Sequence, residues 1–203
     1  MDIEEIIQEM NSGRDDILSY MFCLFEPHIS AKDSKSNRYD RKKHIPVKRE
    51  IWVPRESIYV GFIAELVSKY LTLDEEAIGL TSLVRLNDGT EQHLCLIDFR
   101  CNKSEGGLGS VRMTLRKLGI SFGFLIDSGD SYHFIGAESY PLGVYMDLLR
   151  RMQNFESIGE DWPNYQISQG YADLRVTACP KRGKFLVPTL VERIGETQLK
   201  LEI

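Results

Sequence analysis

No apolar run in the 203 residues approaches the roughly 20 that a membrane-crossing helix needs, so a helical membrane protein is not expected. The start, MDIEEIIQEM, lacks the basic residues and apolar core of a secretory leader, and a cytoplasmic location is expected. The four cysteines, Cys23, Cys95, Cys101 and Cys179, show no CxxC spacing. That argues against a zinc ribbon or a disulfide framework and for reduced, mostly buried thiols. Positive charge is also lacking overall. A net charge of −5 argues against a protein that coats nucleic acid through bulk electrostatics. The charge is uneven, however: residues 30–55 hold nine Lys/Arg against three acids, and 175–184 hold four Lys/Arg and none. Either basic segment could face an anionic ligand, and either could be a solvated loop.

What is present suits one good-sized domain, or a domain with an appendage. Ile3–Met10 has the stripe of a short amphipathic helix, Ile17–Phe25 reads as a strand, and 30–49 as a polar, basic loop. Glu50–Pro54 reads as a short strand that Pro54 confines to an edge or an end. The spacing predicts a helix over Ser57–Leu71 with Ser57 as N-cap. Asn87-Asp-Gly-Thr90 joins Leu80–Leu86 to Gln92–Arg100 as a hairpin. Pro141–Phe155 reads as a helix, and Asp161-Trp-Pro163 as its break. Ala172–Cys179 and Phe185–Glu192 read as strands around Pro180–Gly183. The order gives an α+β fold: a mainly antiparallel sheet with helices packed on one face. We divide it into an extension, 1–79, carrying the basic loop and packed on the core, and a core, 80–203.

The informative stretch is His93–Gly136. It reads as a strand ending in Asp98, a Gly-rich loop Ser104–Gly109, a helix Ser110–Leu118, and two strands joined by Asp127-Ser-Gly-Asp130. Alternation puts Leu94, Leu96, Asp98 and Arg100 on one face, and Ser131 and His133 on one side of their strand. A strand-end carboxylate needs a partner, which a metal or a neighbouring arginine would supply. Serine hydroxyls, turn amides and an imidazole together suit a phosphate. Arg175, Lys181, Arg182 and Lys184 suit a triphosphate or a nucleic-acid backbone, or form an exposed hairpin tip. The GGxG within Ser104–Gly109 lacks the phosphate-loop patterns and is weak evidence for phosphate binding.

Taken in order, LCLIDFR, SGDSYHF and DWPNYQISQGYADLRVTACPKRGKFLVP resemble the archaeo-eukaryotic primase superfamily, over roughly residues 80–190. The resemblance implies a primase–polymerase-like (RRM-like) core and metal-dependent nucleotidyl transfer. Asp98, His133 and Asp173 would be catalytic, with Asp98 and Asp173 holding Mg²⁺ or Mn²⁺ and Asp161 an alternative third acid. Ser128, Ser131, His133, Arg175, Lys181 and Lys184 would bind the nucleoside triphosphate, and DNA or RNA would be the partner. The family's first motif usually carries two acids one residue apart; here Asp98 is followed by Arg100, which would pair with Asp98 or Asp173 if it took the missing acid's place. Three readings follow. The domain is a primase-like enzyme, or a catalytically degenerate nucleotide- or nucleic-acid-binding module in replication, repair or mobile-element defence, or a nuclease or nucleotide hydrolase using Asp98 and His133.

Overall fold

A computed structural model describes residues 1–25, 49–71, 76–181 and 184–195, with the backbone alone at 179–181 and 184–186. Most of the basic stretch 30–55 and Arg182 lie outside these residues. The strands are β1 (Ile17–Phe25), β2 (Arg49–Pro54), β3 (Ala77–Leu86), β4 (Glu91–Asp98), β5 (Gly123–Asp127), β6 (Tyr132–Tyr140), β7 (Asp173–Arg175), β8 (Cys179–Lys181), β9 (Lys184–Leu186) and β10 (Thr189–Ile194). The helices are α1 (Ile3–Ser12), α2 (Phe62–Tyr70), α3 (Glu105–Leu118), α4 (Leu142–Met152) and α5 (Asp161–Gln169). Eight strands make one sheet in the order β10-β5-β6-β4-β3-β1-β2, with β7 added on β3; β8 and β9 form a separate hairpin. The ladders are antiparallel, and the fold is α+β as the sequence predicts.

β1 lies inside the sheet, between β2 and β3. That position explains why ILSYMFCLF is an almost continuous apolar run rather than an alternating one: both of its faces are buried. β2 is an edge strand with Pro54 at its end, as proline requires. The α3, α4 and α5 helices of the core pack on one face. There the Tyr145 ring of α4 stacks on His93 of β4 at 4.6 Å between centroids. Helix α2 covers the other face, where Phe62 meets Phe22 edge-on at 5.9 Å. The two faces are distinct because Val84 pairs with both Tyr20 and Gln92, whereas Leu83 pairs with His93. Helix α1 starts at the β10 edge, where Asp2 bridges Thr189, and buries Ile3, Ile6, Ile7 and Met10. Each such side chain contributes roughly 1.5–3 kcal/mol of burial.

Three boundaries differ from the sequence reading, each for a local reason. Helix α2 begins at Phe62, not Ser57, because Arg55–Ser57 forms a 3-10 turn closed by the Ile58 N–H donating to the Arg55 carbonyl. The α2 N-terminus is capped from a distance. Glu4 of α1 accepts from the Gly61 N–H and, at 3.3 Å, from the Ile63 N–H. The Gly-rich segment is not a loop: Glu105–Gly109 are the first residues of α3, and Ser104 is the N-cap, accepting from the Gly107 N–H at 3.2 Å. Gly107 is required by close approach, since a Cβ there would lie 1.9 Å from the Asn102 carbonyl oxygen. Pro163 does not break a helix but sits in the first turn of α5, where no intrahelical N–H bond is lost. The tail strands are split where each was read as one: Ala172–Cys179 holds β7 and the first residue of β8, and Phe185–Glu192 spans the end of β9 and the start of β10.

Candidate functional site

The two strands singled out by the sequence lie side by side. β4 and β6 pair with Leu96 opposite Ile135, Ile97 opposite Phe134 and Asp98 opposite His133. Antiparallel partners share a face, and His133 Nε2 stands 3.4 Å from Asp98 Oδ1. The imidazole is 12% exposed and the carboxylate 39%, so the pair lies at the boundary, with the acid reaching water. Around it the turn between β5 and β6 is tightly bonded to itself and to its neighbours. The Ser128 N–H donates to the Ser131 carbonyl, and the Gly129 N–H donates to Asp127 at 2.7 Å, an Asx-type turn with Gly129 at φ 106°. The Ser131 hydroxyl donates to the Cys101 carbonyl at 2.9 Å and accepts from the Cys101 N–H at 3.1 Å. Ser131 therefore fastens the β4–α3 connection to the turn, and buried Ser128 is part of the same knot.

Arg175 reaches this turn, its guanidinium donating to the Ser128 carbonyl at 3.0 Å and to the Thr177 carbonyl. Asp98 and His133 thus lie together at one end of the sheet, and Arg175 braces the neighbouring turn from β7. Asp173 does not join them. Gly79 pairs with Cys23 of β1 and with Arg175, and Thr81 pairs with Asp173. A Cβ on Gly79 would lie 3.1 Å from Cys23 Sγ, which fixes that face. Asp173 and Arg175 both leave β7 on the Cys23 face, and Asp173 there meets the side chains of α5. Burial pushes its carboxyl up to about 6, offset in part by hydrogen bonding from Gln169 and Gln166. His93 occupies the helix-covered face of β4, so Asp98, an odd number of residues further on, points to the opposite one.

Arg100 lies beyond the end of β4. Its N–H donates to the Ser157 carbonyl at 2.6 Å, and its guanidinium stands 3.7 Å from Asp161 at the start of α5. It lies so close to Gly159 that a Cβ there would meet Nη1 at 2.8 Å. The pairing with Asp98 or Asp173 expected of an arginine in the missing acid's place is replaced by one with Asp161. Lys181 and Lys184 pair across the β8–β9 hairpin, and their side chains lie outside the described residues.

Two features escaped the sequence reading. Lys103 grips the turn, pairing with Asp127 at 2.5 Å and donating to the Gly129 carbonyl at 3.2 Å. Gln166 and Gln169, three residues apart on α5, face Asp173; that spacing was visible only if Pro163 was read inside a helix. His93 is a core residue. Its Nδ1 lies 3.1 Å from the Ser82 hydroxyl, and burial lowers its pKa to about 4, so it is neutral at pH 7.

The two-cation chemistry implied by the resemblance needs two or three carboxylates converging on one place. Here Asp98 faces His133, Asp173 stands on the other face among side-chain amides, and Arg100 occupies the intervening motif position. Among the described residues no group of three His, Cys, Asp or Glu side chains is arranged to hold a metal ion. This donor set does not fit a two-metal centre.

The acid that ends β4 and the histidine opposite it on β6 come from the first two motifs of the resemblance, side by side in one antiparallel sheet. The family model described as archaeo-eukaryotic primase 1D-like matches residues 65–187, more than half of the chain, and the chain belongs to that family. No match was found among curated proteins or among solved structures. No helix among the described residues is long and apolar enough to cross a membrane.

Proposed function

We propose that this chain is a primase-family domain that binds nucleotides or nucleic acid at the Asp98–His133 end of its sheet, with its nucleotidyl-transfer carboxylates dispersed. The single observation that carries the reading is the donor set: an imidazole–carboxylate pair at the strand ends, and Asp173 on the opposite face. Family membership supports the ligand class. An imidazole held by a carboxylate suits phosphate recognition without a bridging cation, and Arg175 braces the neighbouring turn. The backbone contribution falls to groups beyond the Ser128–Ser131 turn, whose Ser128 and Gly129 amides already donate within it.

The test is equilibrium binding of a fluorescent nucleoside triphosphate and of labelled single-stranded DNA, with and without Mn²⁺. It is run on the whole chain and on His133→Ala and Asp98→Asn, beside a primer-extension assay. The expected result is binding that needs no Mn²⁺ and falls about tenfold in His133→Ala, roughly the loss of one charge-assisted contact. Mn²⁺-dependent incorporation abolished by Asp98→Asn would overturn the binding reading in favour of a nucleotidyltransferase. Absence of binding to either probe would overturn both.

A further inference from the structure

At the edge of the sheet opposite β10, β2 and α2 form a second cleft. β2 ends the strand order, and its far edge pairs with no strand among the described residues. Helix α2 runs beside it, with Tyr70 at its C-terminal end held under Arg49, the first residue of β2. The cleft between them is about 120 Å³, floored by Ile51, Val53, Phe62 and Leu66. Exposed Tyr59 reaches the cleft through its hydroxyl bond to the lining residue Glu65.

Size and charge select the occupant. A cleft of this volume holds about four waters' worth of matter, far below the roughly 300 Å³ of a small-molecule site, but enough for aliphatic side chains. A bare strand edge offers a row of main-chain donors and acceptors, which an extended segment satisfies. The ends differ in charge. Arg49 and Lys69 flank the Tyr70 ring at 4.8 and 5.2 Å, and neither forms an ion pair among the described residues. Glu65, midway along, is already held by the Tyr59 hydroxyl. The cationic end therefore favours an acidic group. A second copy of β2 is a poorer occupant: paired antiparallel, it would bring its own Pro54-Arg55 end to Arg49 and Lys69.

We infer that the β2 edge and α2 form a docking groove for an extended peptide of alternating apolar residues carrying an acidic end beside Arg49 and Lys69. This surface does not depend on the nucleotide reading. Paired antiparallel to β2, the peptide places its C-terminal end at the cations, where its terminal carboxylate adds to the acidic side chains.

The probes are three fluorescein-labelled octapeptides alternating valine and threonine: one ending in two aspartates, one ending in two lysines, and the first again with alternate amides N-methylated. Anisotropy is read on the whole chain, and on Arg49→Glu/Lys69→Glu, whose exposed sites leave the fold intact by circular dichroism. The acidic peptide should bind at least about tenfold more tightly than the lysine-ended one, and that preference should reverse in the double variant. N-methylation on the strand-facing amides should abolish binding. Equal binding of the acidic and basic peptides, or none at millimolar concentration, would overturn the inference. So would a concentration-dependent dimer in sedimentation that excludes the acidic peptide, which would assign the edge to a second copy.

Discussion

Asp173 offers the sharpest test of how this sheet is built, because the same residue has opposite behaviour in two accounts. As a metal ligand its carboxylate would be stabilised in the folded state; as a buried group among amides it is destabilised. The structure puts it in the second situation, with its pKa pushed from 3.8 up to about 6 by burial. The sign follows from linkage: the folded state holds the proton more tightly than the unfolded chain. The contribution to stability is fully present below pH ~4 and is lost as pH rises through about 6. A shift of roughly two units, at about 1.4 kcal/mol each, makes the ionised folded protein about 3 kcal/mol less stable than the protonated one. Asp173→Asn removes the ionisation while keeping size and hydrogen-bonding capacity. The measurement is urea unfolding of both proteins from pH 4 to 8. The wild type should lose about 2.5 kcal/mol relative to the variant across that range, most of it between pH 4 and 6. A flat difference would refute burial of this carboxyl. A difference of the opposite slope would mean that a cation holds it.

Three other perturbations follow from local geometry. Glu4→Ala removes the distant cap on Gly61 and Ile63 and should cost about 1–2 kcal/mol in urea unfolding, with frayed α2 amides in hydrogen exchange. Gly107→Ala forces a methyl onto the Asn102 carbonyl oxygen at 1.9 Å and should cost about 1–3 kcal/mol, outweighing alanine's better helix propensity; thermal unfolding decides it. Arg100→Asp, which restores the family's acid-x-acid pattern in sequence, should leave Mn²⁺ affinity unchanged by calorimetry, because the side chain points at Asp161 rather than Asp98. It should cost at most about 1 kcal/mol, as the ion pair is half exposed.

The parts of this fold legible in the sequence were those set by short-range pattern. The apolar run Ile17–Phe25 is β1 residue for residue, and Asn87–Thr90 closes the β3–β4 hairpin, with the Leu86 N–H donating to the Thr90 carbonyl. The juxtaposition of Asp98 and His133 was expected on condition that their strands are near neighbours, and β4 and β6 do pair. What was not readable depended on distant partners. A cap supplied to α2 by Glu4 leaves no mark near Gly61, and the glycines that open α3 look like a loop until Asn102 is seen against Gly107. Register carried the largest consequence. Pattern alone does not say that β7 pairs with β3 through Gly79 and Thr81, and that pairing sends Asp173 to the face opposite Asp98.

That register bears directly on what the Asp98–His133 end can do. In an antiparallel sheet a slip of one residue along β7 would exchange the faces of Asp173 and Leu174. Leu174 is 3% exposed, so such a slip would replace a buried leucine by a carboxylate and move the leucine in turn. The cost of stranding either side chain, a few kcal/mol each, holds the present pairing in place. Arg175 adds a second lock, because its two bonds to the Ser128 and Thr177 carbonyls tie the end of β7 to the β5–β6 turn. Bringing Asp173 round to Asp98 would therefore require breaking the ladder to β3 and the arginine's anchor together. The dispersal of the acids is thus a property of the packed sheet rather than of a movable side chain. This end of the molecule presents an imidazole and a carboxylate in a fixed arrangement, beside a turn that Arg175 anchors.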